Sequence, residues 1–101
     1  MIKEWCDTLR IREVKHAFTR KLGAEEDSSG DHTYFYFEYQ GSEYTVGKLS
    51  HSWSGNLNDT QILLLGRKLF LKKREFEEWV DCTLSNDKMI EVWLKRRKEL
   101  A

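Results

Sequence analysis

Two histidines and a lysine lie near the ends of two strand-like segments of the sequence: His32, Lys48 and His51. A histidine side chain exchanges protons near neutral pH, which suits it to general acid–base chemistry. A lysine supplies positive charge where negative charge builds up on a phosphate. Together these residue types would serve metal-independent cleavage of RNA, in which a 2′-hydroxyl attacks the adjacent phosphate. They are the candidate catalytic residues, and this reaction requires no cofactor.

A β-hairpin has to bring these residues together. HTYFYFEYQ, residues 32–40, is rich in aromatic residues and predicts one strand, and EYTVGKL, residues 43–49, predicts its antiparallel partner. A tight turn at Gly41-Ser42 joins them. Counting outward from that turn places His32 opposite His51, with their Cβ atoms within about 5.5 Å. A pair of polar residues at the rim of a sheet is the alternative interpretation.

Aromatic residues near His32 are candidate contacts for nucleic acid. Because side chains alternate along a strand, Tyr34 and Tyr36 share the face of His32, and the phenylalanines point to the helices. Exposed aromatic rings stack on unpaired bases. Two alternatives stay open for the tyrosines: half-exposed strand residues, or a protein-binding surface. Trp53, in the polar loop SHSWSGNLN, either packs into a local cluster or stacks on a base.

Basic residues on two predicted helices are further candidate contacts. Arg12 and Lys15 belong to a polar stripe at helical spacing on the first helix, and Arg67 and Lys68 lie near the end of the second. Such side chains bind the phosphates of a nucleic acid. The alternative in both cases is an ordinary solvated helix face.

Helices are predicted on both sides of the hairpin. The first runs from about Thr8 to Leu22, is capped by Asp7 or Thr8, and ends at Gly23. A polar turn region with a short edge strand at its start follows at residues 24–31. Three more helices are predicted at about residues 59–70, 73–82 and 86–98, with Asp59 or Thr60 capping the first of them. This order is typical of an α+β fold, with helices packed on one face of a small antiparallel sheet.

The composition indicates a single domain, residues 1–101, and limits the function classes. The 17 basic and 17 acidic residues give zero net charge, so nucleic acid would have to be bound by a local basic surface. The longest apolar run, residues 62–65, is far shorter than the roughly 20 residues of a membrane span. No signal peptide is visible. Two cysteines far apart and three histidines form neither a disulfide framework nor a metal site, so we expect a cytoplasmic protein in which Cys82 is a buried thiol.

Five segments carry a resemblance to a known family: VKHAFTRKLGAEE (14–26), GDH (30–32), KLSH (48–51), REF (74–76) and VDCTLS (80–85). The first is similar to a first helix that ends in Lys-Leu-Gly, and the second to a Gly-Ser-His sequence before an aromatic strand, with Asp31 in place of the serine. The chain resembles the HicA family of toxins from toxin–antitoxin pairs. The last segment is similar to the joint found in a branch with extra C-terminal helices.

The resemblance implies a fold, an activity and a partner. The fold is that of the double-stranded-RNA-binding domain, a helix–sheet–helix core over residues 8–70, followed by a C-terminal helical extension at residues 71–101. The strand histidine, here His32, is the catalytic residue in better-known members, and a histidine after the third strand corresponds to His51. An antitoxin protein would cover the site.

We therefore expect a HicA-like metal-independent endoribonuclease. Two alternatives stay open. One is a non-catalytic module that binds RNA or DNA through the first helix and the basic cluster at the end of the second. The other is a protein-interaction domain of a mobile element, which uses the aromatic sheet face to form a homodimer or to bind another protein.

Overall fold

The computed structural model describes residues 9–53 and 55–100 and shows a small α+β fold. In chain order its elements are β1 (Leu9–Arg10), α1 (Ile11–His16) continued by a π-helical turn (Ala17–Lys21), β2 (Glu25–Asp27), β3 (His32–Tyr39), β4 (Ser42–Ser50), β5 (Asn56–Leu57), α2 (Asp59–Lys68), α3 (Lys73–Val80) and α4 (Asn86–Leu100). Strands β2, β3 and β4 form an antiparallel sheet in that order, and β1 pairs with β5. The α+β class is thereby confirmed.

The first helix begins later than the sequence predicts. Leu9 pairs with Leu57 in an antiparallel bridge, so the backbone stays extended there and α1 starts at Ile11. The backbone N–H of Ile11 donates to the carbonyl of Gly55 at 3.0 Å, which ties the helix start to the loop before β5. The two predicted caps, Asp7 and Thr8, lie outside the described residues.

The first helix ends in a π-helical turn, in which backbone hydrogen bonds span five residues instead of four. In the π-helical turn, the N–H of Leu22 donates to the carbonyl of Ala17 at 2.9 Å, five residues back. Gly23 then ends the helix with φ of +83°, as predicted from its type.

The β3–β4 hairpin has a different register from the predicted one. Its turn is Gln40-Gly41, both with positive φ, rather than Gly41-Ser42, so Tyr39 pairs with Ser42. Further along, Phe35 pairs with Gly47 while Tyr36 pairs with Thr45, which leaves one extra residue in β4 as a bulge. As a result His32 lies opposite Ser50, and the predicted pairing of His32 with His51 is wrong.

The hydrophobic core lies between the helices and one face of the sheet. Phe18, from the π-helical turn, stacks on Phe35 of β3 with ring centroids 4.7 Å apart. Phe76 and Trp79 of α3 approach the same Phe18 ring at 6.1 and 5.3 Å. All four side chains are fully buried.

Caps define the later helices. Asn58, and not Asp59 or Thr60, caps α2: its side chain accepts from the backbone N–H of Gln61 at 2.8 Å. Ser85 accepts from the N–H of Lys88 at 3.2 Å at the start of α4. Helix α3 ends at Val80, ahead of Cys82, which is exposed rather than buried.

Among the described residues, no helix is both long enough and apolar enough to span a membrane.

Candidate functional site

A groove at the rim of the sheet contains His32. We call it the histidine groove; it has a cavity volume of about 270 Å³, and the described residues that line it are His32, Lys48, Ser50, Trp53, Leu64 and Lys68. The sheet supplies one wall and α2 supplies the other, through two residues one helical turn apart. A histidine, two lysines and an indole therefore surround one cavity.

The observed register places Lys48 on the same face as His32. Tyr34 pairs directly with Lys48 and His32 pairs with Ser50, and residues directly opposite each other in a sheet share a face. The bulge lies between the turn and these pairs, so it sets their alignment. Lys48 is exposed and His32 is half-buried, and both line the histidine groove.

His51 lies in a different groove. Its Nε2 atom is 3.2 Å from the hydroxyl of Thr33, which alternates with His32 along β3 and belongs to the buried face. The Thr33 hydroxyl, in turn, is 3.0 Å from that of Ser28. We call this second depression the Lys15 groove, because Lys15 lines it together with His51 and Thr33.

Trp53 lines both grooves and a third one. The third depression, here called the arginine groove, lies between Arg10, Arg12, Trp53 and Asn56. The indole is half-buried and packs against the core, and its backbone N–H donates to the carbonyl of Ser50 at 3.0 Å. Trp53 thus packs against the core and also lines open grooves, and stacking on a base stays a prediction.

Tyr34 and Tyr36 continue the face of His32 away from the groove. The rings of His32 and Tyr34 are 6.2 Å apart, and so are those of Tyr34 and Tyr36. Strand β2 brings acidic residues beside them, because Asp27 pairs with Tyr34 and Glu25 pairs with Tyr36. The backbone N–H of Ser29 donates to Asp27 and keeps the pKa of that carboxyl below its ordinary value. Lys48 lies on the other side of Tyr34, so the face becomes acidic beyond Tyr34, where Glu25 pairs with Tyr36 and Glu38 pairs with Glu43.

The predicted basic contacts separate in space. Lys15 lines its own groove and forms an ion pair with Glu26 at 3.7 Å. Lys68 lines the histidine groove, while its neighbour Arg67 is exposed and lines none of the three grooves. The helix-end cluster thus contributes one of its two predicted contacts to the cavity.

Arg10, Ser50 and Leu64 line these grooves but did not stand out in the sequence. Arg10 belongs to β1, a two-residue strand whose pairing partner is far along the chain. Leu64 is one of four consecutive apolar residues, and helical periodicity shows only that part of such a run faces outward.

In the described part of the chain, no group of three or more His, Cys, Asp or Glu side chains is arranged to hold a metal ion.

No family model matches the chain, and neither a curated protein nor a solved structure is similar enough to count as a match. The resemblance to HicA toxins therefore stays a prediction.

Proposed function

We propose that this protein is a HicA-like endoribonuclease that cleaves RNA without a metal ion, with His32 as its proton-transfer residue. The observation that carries the proposal is the histidine groove, where one imidazole and the lysines Lys48 and Lys68 line the same cavity. A phosphate in this groove would lie beside two positive charges and a group able to accept a proton.

In the proposed step the groove holds one phosphate of the RNA backbone. His32 accepts the proton of the neighbouring 2′-hydroxyl, whose oxygen forms a bond to phosphorus. The bond from phosphorus to the 5′-oxygen breaks, and that oxygen takes a proton from solvent. Lys48 and Lys68 stabilise the negative charge on the phosphate oxygens during the transfer. The products carry a 2′,3′-cyclic phosphate and a 5′-hydroxyl.

The order of the elements also supports the proposal. A helix, three antiparallel strands and a second helix follow one another as α1, β2, β3, β4 and α2, which resembles the core expected of the double-stranded-RNA-binding-domain fold.

An antitoxin partner would have to close the groove, where Leu64 is 44% exposed. Such a partner should block cleavage when it binds, and a bound partner that leaves cleavage intact would contradict this role.

The test is cleavage of end-labelled RNA in the presence of EDTA. His32→Ala should lower the cleavage rate by about 10²–10⁴-fold, the usual contribution of a general acid–base residue. The matched control is His16→Ala, because His16 is an exposed histidine on α1 that lines none of the three grooves. Circular dichroism should show both variants folded. Full activity in a folded His32→Ala protein would refute the assignment.

A non-catalytic RNA-binding module is the second candidate. It is favoured by the position of His51, which contacts Thr33 on the other face of β3 and so leaves His32 as the one histidine among the described residues of the histidine groove. This alternative predicts salt-dependent RNA binding with no cyclic phosphate product. The same assay separates the two candidates.

A further inference from the structure

Trp53 is the residue at which the three grooves meet. We propose that Trp53 determines substrate specificity by stacking on one unpaired base, while the phosphates on either side of that base lie in the histidine groove and in the arginine groove. The substrate is then a single RNA strand that crosses the indole. This inference rests on the proposed function and names the form of RNA that the site accepts.

The charges of the grooves fit a polyanion. Lys48 and Lys68 line the histidine groove, and Arg10 and Arg12 line the arginine groove. With Lys15 in the third groove, where it also pairs with Glu26 at 3.7 Å, five basic residues line the grooves that meet at the indole, and none of the described residues lining these grooves is acidic. In a chain with 17 acidic and 17 basic residues this separation of charge is local. A phosphate backbone is the polymer that such a surface attracts.

The acidic strand β2 determines the direction that the RNA takes. On the side of His32 away from Trp53, the face continues through Tyr34 and Tyr36, and Asp27 and Glu25 pair with these tyrosines. Lys48 flanks Tyr34 on its other side, but beyond Tyr34 the neighbours on this face are Glu25 and the pair Glu38–Glu43, so a phosphate backbone would be repelled at that end. From His32 the strand therefore runs toward Trp53 and the arginines, and the two tyrosines are not part of its path.

Stacking on the indole requires an unpaired base. In an RNA duplex both faces of each base are covered by neighbouring pairs, and proteins bind the duplex through its shape, phosphates and 2′-hydroxyls. A splayed single strand offers its bases to aromatic rings. The Trp53 ring is held in place on one side by the core, so little conformational entropy is lost when a base stacks on it.

The test measures binding without cleavage. The probe is a short fluorescent single strand in which every 2′-hydroxyl is methylated, and anisotropy reports its affinity for the full-length protein. Trp53→Ala should weaken binding by about tenfold, in the range of one lost base stack, while Trp53→Phe should stay within about threefold of the parent. A hairpin duplex of the same methylated chemistry should compete poorly.

The exposed basic residues supply variants that do not disturb packing. Arg12→Ala in the arginine groove and Lys68→Ala in the histidine groove should each weaken binding and should each reduce the slope of log affinity against log salt by about 0.7. Lys98→Ala is the matched control, since it removes an exposed positive charge on α4 away from the grooves. Circular dichroism should confirm that all variants are folded.

Three outcomes would overturn the inference: unchanged affinity in folded Trp53→Ala, equal competition by the duplex, or a loss in Lys98→Ala as large as that in Arg12→Ala. Cleavage of unmodified RNA, measured in parallel, tests the proposed function separately. Binding that depends on Trp53 without any cleavage would refute the enzyme and keep the single-strand site. Cleavage together with an affinity that does not depend on Trp53 would keep the enzyme and refute the single-strand site.

Discussion

Gly47 allows Phe18 to reach the sheet. A Cβ atom at position 47 would lie 2.6 Å from the Cζ atom of the Phe18 ring, closer than side-chain carbons approach. That ring is fully buried and stacks on Phe35, which pairs with Gly47 across the hairpin. The strand must therefore leave this position without a side chain so that the core can close.

We expect Gly47→Ala to destabilise the protein by about 1–3 kcal/mol, the usual cost of overpacking a closed core. Urea or thermal unfolding followed by circular dichroism measures the change. Gly30→Ala is the matched control, because a Cβ at Gly30 meets nothing within 4 Å and the backbone there has no positive φ. Equal stability of the two variants would show that Phe18 can move aside.

At the scale of elements, the sequence predicts the strands and their faces but not their alignment. A glycine fits either central position of a two-residue hairpin turn, so the residue types do not distinguish a turn at Gln40-Gly41 from one at Gly41-Ser42. The bulge near Phe35 is equally invisible, since it depends on how β4 packs on the helices. His32 and Lys48 were therefore predictable as candidates, whereas the grouping of Lys48 and Lys68 with His32 and the separation of His51 required the structure.

An ion pair joins α4 to the start of α3. The guanidinium of Arg96 donates to both carboxylate oxygens of Glu75, at 2.6 and 2.9 Å, and also to the carbonyl of Phe70 at 2.9 Å. Glu75 additionally accepts from the backbone N–H of Lys72, which caps α3. The hydrogen bonds from Arg96 lower the pKa of Glu75, although partial burial opposes them, and the same pair raises the pKa of Arg96.

The lowered pKa of Glu75 predicts a pH-dependent contribution to stability. A carboxyl whose pKa is lower in the folded chain stabilises the fold above its ordinary pKa, near 4.3, and loses that contribution as the pH falls through the folded value. Glu75→Gln should therefore cost about 1–3 kcal/mol at pH 7, with the difference from the parent shrinking below about pH 4. Unfolding in urea at several pH values between about 3 and 7 measures the free-energy difference between Glu75→Gln and the parent.

Glu78→Gln is the control for that experiment. Glu78 pairs with Arg74 one helical turn away at 3.6 Å, and the Arg74 side chain is 88% exposed, so its loss should cost under about 0.5 kcal/mol. A pH-independent deficit in Glu75→Gln, or an equal one in Glu78→Gln, would contradict the role of the ion pair.

At the scale of the whole molecule, the C-terminal helices share the core of the sheet domain. Trp93 of α4 contacts Phe37, Tyr39 and Tyr44 of the hairpin with ring centroids 5.8, 6.2 and 5.2 Å apart. Arg97 lies 4.3 Å above the Tyr44 ring, and Trp93 itself is only 2% exposed. The aromatic residues near the hairpin turn are therefore covered by α4.

Trp93→Ala should destabilise the whole protein by about 3–5 kcal/mol, because it opens a large cavity between α4 and the hairpin. Trp93→Phe should cost less. Circular dichroism and the fluorescence of the remaining tryptophans should report one coincident transition, since both parts share a core. An early, separate loss of helical signal would instead show that α4 unfolds independently of the sheet.

The π-helical turn after His16 changes which side of the helix each side chain faces. The turn contains one residue more than a regular α-helical turn. This extra residue rotates the side chains before the turn by about 100° about the helix axis, relative to those after it. Arg12 and Lys15, which line the grooves, precede the turn together with the fully buried Val14, whereas Phe18 and Leu22, which also face the core, lie in it or after it. Deleting Thr19 would restore regular helical phase and carry the basic side chains around the axis. The extra residue thus sets the angle at which the groove-lining side chains of α1 stand relative to Phe18 in the core.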